Sequence, residues 1–190
     1  MKTFDVSKIH DYLFDQWFGE ESRRYFFNLH DVTVNQKYAD TLPYSFHLSM
    51  VESQGRKFFY LLDKESEITR NHIIAGLFGH DSIEDARLTY SNVKDEFGED
   101  VADIIYLCTE MKGKRRKERK PVGFYKELST NKHAVFVKLC DLIANVKFSL
   151  LSNSSMFKKY KQEYSTFKEH CYVEEYKDMF DYVEKIFLIE

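Results

Sequence analysis

The chain has 190 residues, enough for one sizeable hydrophobic core, and we expect a single domain over residues 1–190. Its 28 basic and 31 acidic residues leave a net charge of −3, which argues against nucleic acid as a partner. Two prolines and seven glycines interrupt a sequence rich in Phe and Tyr, which is typical of an all-α protein. Apolar stretches of membrane length and a signal-peptide core are both absent, so we expect a cytoplasmic protein without membrane contact.

Two amphipathic helices are predicted before the first proline. Ser7 is suited to cap the first helix, and Gly19 is expected to end it. Its apolar residues recur at four-residue steps, at Ile9, Leu13 and Trp17. Residues 21–37 are expected to continue helically, with His30 on the packed face.

Pro43 separates these helices from the next one. Proline disfavours helical backbone in the residue before it and fits the first turn of a helix that follows. We therefore expect a helix to start near Pro43, with His47 in its first turn ahead of Leu48 and Val51. On its own, a histidine at this place is more often a hydrogen-bonded structural residue than a metal ligand.

The most informative stretch lies in a helix predicted over residues 68–90. On a helix, His80 shares a face with Glu84, and Asp81 shares a face with Asp85. Crowded carboxylates need a balancing cation, and imidazole with carboxylate oxygens suits Zn, Mn or Fe. A solvated helix face is the alternative, because a His-Asp pair alone carries little specificity.

A strongly basic segment follows two further predicted helices. Thr89 caps the first of these, which stops at Gly98, and residues 99–111 form the second. Residues 112–120 then carry seven basic side chains and no apolar one, so we expect a loop or a frayed helix end. Three interpretations stay open: a solvated charge run, a phosphate-binding loop, or a contact with nucleic acid.

Asp141 lies within an apolar part of a long helix predicted over residues 131–151. An acid in such surroundings needs a partner, and Lys138 and Asn145 lie one turn away on its face. A salt bridge to Lys138 is therefore one explanation of Asp141, and metal binding is another. The three cysteines are also placed in apolar surroundings, and we interpret them as reduced core residues: Cys108, Cys140 and Cys171.

Taken in order, these motifs resemble the HD superfamily of metal-dependent phosphohydrolases. Within it they are most similar to the (p)ppGpp hydrolase branch, which includes RelA/SpoT hydrolase domains and single-domain small alarmone hydrolases. The matching segments are Pro43-Tyr-Ser-Phe-His47-Leu, His80-Asp81-Ser-Ile-Glu84-Asp85-Ala-Arg-Leu-Thr89, Glu96-Phe-Gly98 and Lys138-Leu-Cys-Asp141-Leu-Ile-Ala-Asn145. The resemblance implies an HD-domain helical bundle with its motif core at about residues 25–150 and C-terminal helices, residues 154–189, packed on that core.

The resemblance also implies roles for individual residues. One divalent ion, most often Mn²⁺ in this branch, would be bound by His47, His80, Asp81 and Asp141. The acids that orient the attacking water and handle protons would be Glu84 and Asp85. The substrate contacts would be Asn145 to the nucleoside and Arg115, Arg116 and, more weakly, Lys37 to the phosphates.

The activity implied is the hydrolysis of a guanosine alarmone, (p)ppGpp, at its 3′-diphosphate with release of pyrophosphate. The branch carries an Arg-Lys pair and a glycine-containing turn before its Pro-Tyr, whereas this chain has Gln36-Lys-Tyr-Ala-Asp-Thr-Leu42. That difference motivates an alternative substrate such as an adenosine alarmone or NADPH, and a non-catalytic nucleotide-binding module is a further alternative. The length leaves no room for a synthetase domain, so we expect a one-way hydrolase. The apolar C-terminal helices could close the bundle or bind a second subunit, as in a homodimer.

Overall fold

A computed structural model describes residues 18–189, and helices account for most of them. The α-helices are α1 (residues 18–27), α2 (Tyr44–Lys57), α3 (Glu67–Gly79), α4 (Ser82–Asp85), α5 (Tyr90–Phe97), α6 (Glu99–Cys108), α7 (Arg116–Arg119), α8 (Val122–Leu128), α9 (Lys132–Leu151), α10 (Met156–Cys171) and α11 (Lys177–Phe187). The shorter elements are a π-helical turn (Asn28–Thr33), two 3₁₀ turns (Phe59–Leu62 and Glu174–Tyr176) and an antiparallel pair of two-residue strands, β1 (Lys37–Tyr38) and β2 (Leu42–Pro43). The predicted all-α class is confirmed.

Helix α9 lies at the centre of the core. It packs against α2, α3, α6, α8, α10 and α11. Because neighbours surround it, the helix is apolar on most of its circumference, and residues such as Val135, Leu139 and Ile143 are fully buried. A polar side chain on α9, such as Asp141, is therefore carried into the interior, where it needs partners.

The N-terminal part differs from the sequence prediction. The Ser7 cap and the repeat at Ile9, Leu13 and Trp17 lie outside the described residues. Gly19 does not end the first helix, because it lies inside α1. The helix over residues 21–37 is also shorter than predicted: α1 passes into the π-helical turn and stops at Thr33, before the β1–β2 turn. His30 is buried as predicted.

The helix predicted over residues 68–90 is broken in its middle. Helix α3 ends at Gly79, His80 and Asp81 lie between the two helices, and α4 is only one turn long. Gly79 allows close packing there, since a Cβ on it would lie 2.4 Å from Ile105. The break falls at the buried His80, and Ser82, the first residue of α4, is buried as well.

Other boundaries agree with the capping signals in the sequence. Thr89 and Asn92 form a capping box at the start of α5, and the Asn131 side chain accepts backbone N–H groups at the start of α9. Pro43 directly precedes α2. Cys108, Cys140 and Cys171 are free and buried, and burial raises the pKa of Cys108 to about 12, so its thiol stays neutral.

The C-terminal helices α10 and α11 pack on α9. Their buried aromatic side chains, including Phe157, Phe167 and Phe180, join the largest hydrophobic cluster. Within residues 18–189, every helix is too short or too polar to cross a bilayer.

Candidate active site

Two histidines and two aspartates from different parts of the chain converge between α2, α9 and the α3–α4 junction. His47 Nε2 lies 3.3 Å from His80 Nε2 and 3.3 Å from Asp141 Oδ1, and His80 Nε2 lies 3.6 Å from the same oxygen. Asp81 Oδ2 lies 2.9 Å from His80 Nε2 and 3.6 Å from His47 Nε2. The four side chains predicted as metal ligands are thus brought together.

The donor set fits a divalent metal ion. Ligand atoms about 2.0–2.2 Å from one ion lie about 2.8–3.6 Å apart in tetrahedral or octahedral geometry, which is the range found here. Among the described residues, His47, His80 and Asp141 form the group whose donor atoms are mutually close enough to share an ion. The His80 Nδ1 lies 3.0 Å from the Leu77 carbonyl, and a bond there leaves Nε2 free to bind metal.

The cluster carries strong internal electrostatics. Lys138 is buried, and its Nζ lies 3.2 Å from Asp141 Oδ2, so the salt bridge considered from sequence exists together with the histidine contacts. Burial lowers the pKa of His80, but Asp81 and Asp141 outweigh it and raise that pKa to about 10. Because metal binding needs a neutral imidazole, an ion entering this group must displace protons.

A polar and aromatic layer orients the cluster from outside. The Tyr44 hydroxyl lies 2.5 Å from Asp81 Oδ2, and the Asn145 amide donates to Asp141 Oδ1 at 2.5 Å. The Tyr38 ring stacks on His47 with centroids 4.8 Å apart, and its hydroxyl donates to Asn145 Oδ1 at 2.9 Å. Such outer contacts fix the orientation of metal ligands.

Glu84 and Asp85 lie beside this group on α4. The Glu84 carboxylate accepts from the Glu110 backbone N–H at 3.2 Å and from Arg119 at 3.3 Å. The Asp85 carboxylate accepts from Gln36 at 2.8 Å. Burial raises the pKa of both acids, which brings them closer to a range suited to proton transfer.

A cleft of about 870 Å³, partly open to solvent, reaches the cluster. Its walls include the cations Arg116, Arg119, Lys120 and Lys138 and the aromatic rings Tyr38, Phe124, Tyr160 and Phe167. Each basic residue at the rim contacts an acid: Arg116 to Glu163 at 2.5 Å, Lys120 to Glu110 at 2.8 Å, and Arg119 to Glu84 at 3.3 Å. The basic and aromatic lining suits a small anionic ligand.

Of the four residues predicted to contact substrate, two line the cleft and two do not. Asn145 and Arg116 line the cleft, but the Asn145 amide is already bonded to Tyr38 and Asp141. Arg115 precedes α7, and its side chain is exposed and contacts Glu118 outside the cleft. Lys37 is exposed on β1, while Tyr38, its neighbour, points to the site.

Local periodicity explains both differences. Successive residues of a strand point to opposite faces, so Tyr38 and Lys37 could not both face the cleft. Arg116 and Arg119 lie three residues apart on the short helix α7 and share a face, whereas Arg115 is the N-cap residue, has an extended backbone and lies outside the helix. The basic segment, expected to be a loop or a frayed helix end, contains the one-turn helix α7. The Lys120 side chain after it is only 14% exposed and lies against Glu110.

No protein-family model matches the chain. Two curated relatives are guanosine-3′,5′-bis(diphosphate) 3′-pyrophosphohydrolases named MESH1. The one from Xenopus tropicalis is 29% identical over 87 residues, and the one from Drosophila melanogaster is 26% identical over 87 residues. In each case the match covers 46% of this chain and 49% of the relative.

A bacterial relative and a solved structure extend these comparisons. A guanosine-3′,5′-bis(diphosphate) 3′-pyrophosphohydrolase from Aquifex aeolicus is 31% identical over 106 residues, which is 53% of this chain and 15% of the relative. The chain thus matches about half the length of the MESH1 relatives and a smaller part of the bacterial one. A metazoan ortholog of SpoT, described as hydrolysing ppGpp and acting in starvation responses, has a TM-score of 0.71 at 17% identity, over 90% of this chain and 94% of that chain. The HD-domain fold and the resemblance to small alarmone hydrolases are therefore confirmed.

Proposed function

We propose that this protein is a metal-dependent phosphohydrolase that removes the 3′-diphosphate of a guanosine alarmone as pyrophosphate. The observation that carries the proposal is the buried group of His47, His80 and Asp141 at the base of a cleft, with Asp81 against both histidines and Glu84 beside them. The activities after which the relatives in Xenopus, Drosophila and Aquifex are named support this activity and substrate class.

The four converging side chains would hold one divalent ion, and we propose Mn²⁺. The combination of imidazole and carboxylate donors is compatible with Mn²⁺. When bound, such an ion supplies Lewis acidity that makes water a better nucleophile and offsets phosphate charge. Lys138 and Asn145 would keep the Asp141 carboxylate oriented.

Glu84 and Asp85 would serve the proton transfers. In the reaction, the water oxygen forms a new bond to the phosphorus that is attached to the 3′ oxygen. The bond between this phosphorus and the 3′ oxygen breaks. The water gives up a proton and the departing 3′ oxygen takes one. Burial raises the pKa of both carboxyl groups, which favours exchange of a proton during turnover.

Arg116, Arg119 and Lys120 would bind the substrate phosphates. Guanidinium groups match phosphate oxygens through paired hydrogen bonds, and these three side chains line the cleft. Because Glu163, Glu110 and Glu84 already contact them, an incoming polyanion has to replace carboxylate contacts.

A single domain, a cytoplasmic location and a homodimer stay predictions.

A second candidate keeps the chemistry and changes the nucleotide. The segment from Gln36 to Leu42 stands where the branch carries an Arg-Lys pair and a glycine-containing turn, and the Gln36 amide lies against Asp85. This side chain offers no positive charge to a base. The observation favours a test of an adenosine alarmone and NADPH beside the guanosine alarmone.

A nucleotide panel with purified protein and Mn²⁺ tests the proposal. We expect pyrophosphate from ppGpp, and we expect Glu84→Gln to bind metal normally but to lose turnover. Faster turnover of the adenosine compound or NADPH would favour the second candidate. A wild-type protein that carries metal yet leaves every nucleotide intact would contradict both.

A further inference from the structure

A hydrogen-bonded chain runs from the buried His30 to the acid Asp85. His30 Nδ1 lies 2.6 Å from Gln36 Oε1, and Gln36 Nε2 lies 2.8 Å from Asp85 Oδ2. The His30 ring is fully buried and stacks on Tyr44 with centroids 4.7 Å apart. A single amide therefore joins α4 to the segment after α1.

The backbone explains how Gln36 reaches both partners. The π-helical turn ends with the Val34 N–H donating to the Leu29 carbonyl at 3.0 Å, and the Gln36 N–H then donates to the His30 carbonyl at 2.8 Å. Asn35, between them, has a φ of 50°, the left-handed conformation that Asn tolerates. These contacts hold Gln36 close to His30, and π-helical turns often occur at functional sites.

The chemistry of the groups fixes the direction of this chain. An ionised carboxylate only accepts hydrogen bonds, so the NH₂ of Gln36 must face Asp85 and its oxygen must face His30. His30 then donates from Nδ1, and its Nε2, which is buried and has no hydrogen-bond partner among residues 18–189, carries no proton. Burial lowers the pKa of His30, in agreement with a neutral ring.

Asp85 depends on Gln36 for its position. Within residues 18–189, a second side-chain contact to Asp85 comes from the Tyr44 hydroxyl at 3.3 Å. That hydroxyl has one proton and lies closer to Asp81, at 2.5 Å. Gln36 is therefore the firmer donor to Asp85.

We infer that Gln36, oriented by His30, is a positioning residue that directs the Asp85 carboxylate into the cleft. The inference rests on the proposed function, because it assigns Gln36 a part in that hydrolysis. It also gives a physical reason for an amide at this position. An amide donates with one end and accepts with the other, so it can join an imidazole protonated on Nδ1 to a carboxylate.

Two substitutions of Gln36 distinguish a role in positioning Asp85 from a role in packing alone. Gln36→Leu keeps the approximate size and removes both hydrogen bonds, and we expect kcat to fall about tenfold to a hundredfold with KM little changed. Gln36→Glu keeps an acceptor for His30 but turns a carboxylate toward Asp85, so kcat should fall further. If Gln36 only held His30 in place, Gln36→Glu would be the milder change.

The control is Gln162→Glu, which makes the same change at an exposed position on α10. Metal content and melting temperature are measured for each variant. We expect unchanged metal content throughout and control kinetics equal to wild type. Activity of the Gln36 variants equal to the control would overturn the inference, whereas an inactive wild type would instead contradict the proposed function.

A measurement on metal-free protein tests the hydrogen-bonded chain from His30 to Asp85 and does not depend on enzymatic activity. Nitrogen-15 NMR of the imidazole distinguishes the two neutral tautomers, and we expect His30 to carry its proton on Nδ1. In Gln36→Leu the proton loses its acceptor, so the Nδ1 signal should shift. A wild-type ring protonated on Nε2 would show that the Gln36 amide points the other way, which contradicts the inference.

Discussion

Two places in the molecule each bring two histidines and two aspartates together, and they differ in how these residues meet. In the first, donor atoms of His47, His80 and Asp141 lie within 3.6 Å of one another. The second is a cavity of about 460 Å³ between α3, α6 and α9, lined by His72, His133, Asp100 and Asp103. There His72 contacts Asp100 at 3.2 Å, but in the described part of the chain no three such donors converge at this cavity.

Burial accounts for the difference. His80 is fully buried, and the first group lies where three helical segments meet in the core, so packing fixes the spacing of its donors. The Asp100 side chain, at the start of α6, is 75% exposed, and water can satisfy it. His133 Nε2 lies 3.4 Å from Glu65, an acid outside the cavity lining. The two places thus contain the same residue types, but only in the first do the described donor atoms lie close enough to share an ion.

The largest contrast is expected from losing one histidine at each place. His80→Ala should reduce bound metal to background and lower turnover about a thousandfold or more, because Lewis-acid activation is worth several kcal/mol. His72→Ala should change neither. Metal analysis and nucleotide turnover measure both effects, with circular dichroism to verify folding. Equal metal loss in the two variants would show that the second place also binds metal.

A smaller contrast concerns an acid beside each place. Glu84→Gln should lower kcat about a hundredfold to ten-thousandfold, the usual contribution of general acid–base catalysis, and should leave metal content unchanged. Glu65→Gln is the matched control, since Glu65 contacts His133 and Lys132. Full turnover by Glu84→Gln would remove this residue from the proposed proton transfers.

The convergence of the candidate metal ligands was predictable from sequence because their residue types and order match the motifs of a known family. His47, His80, Asp81 and Asp141 each match a motif, and the structure brings them together. The surrounding layer was not predictable in the same way. Tyr38, Glu110 and Glu163 reach the cleft through a strand, a loop and α10, and no local pattern relates these positions.

Backbone irregularities were the second limit. The predicted helix over residues 68–90 is interrupted at His80 and Asp81. Gly79 is the one residue next to the break whose type could have indicated it. The π-helical turn after α1 likewise carries no pattern in the sequence, yet it places Gln36 against His30. Helical periodicity therefore identified most of the helices, while the junctions that hold His80, Asp81 and Gln36 depend on tertiary packing.

The outer layer provides a third contrast, between two asparagines. Asn145→Ala removes the amide that joins Tyr38 to Asp141, and metal affinity should weaken about tenfold to a hundredfold, as is typical for such partners. Asn131→Ala, at the second cavity, removes the cap of α9 and should cost about 1 kcal/mol of unfolding free energy without changing metal affinity. Metal titration and thermal unfolding distinguish the two results.

The smallest effect is expected at the cleft rim, where Glu163 contacts Arg116 at 2.5 Å. Both side chains are partly exposed, so their pairing is worth about 0.2–1 kcal/mol, and substrate has to overcome it. Glu163→Gln should free Arg116 for phosphate and lower KM by about twofold to fivefold at unchanged kcat. Asp100→Asn, which alters the His72 pair, should leave KM unchanged. A higher KM in Glu163→Gln would contradict this prediction and would mean that Glu163 holds Arg116 in its binding position. In that case the Arg116 guanidinium needs the Glu163 carboxylate to face the cleft, so removing that contact would weaken phosphate binding.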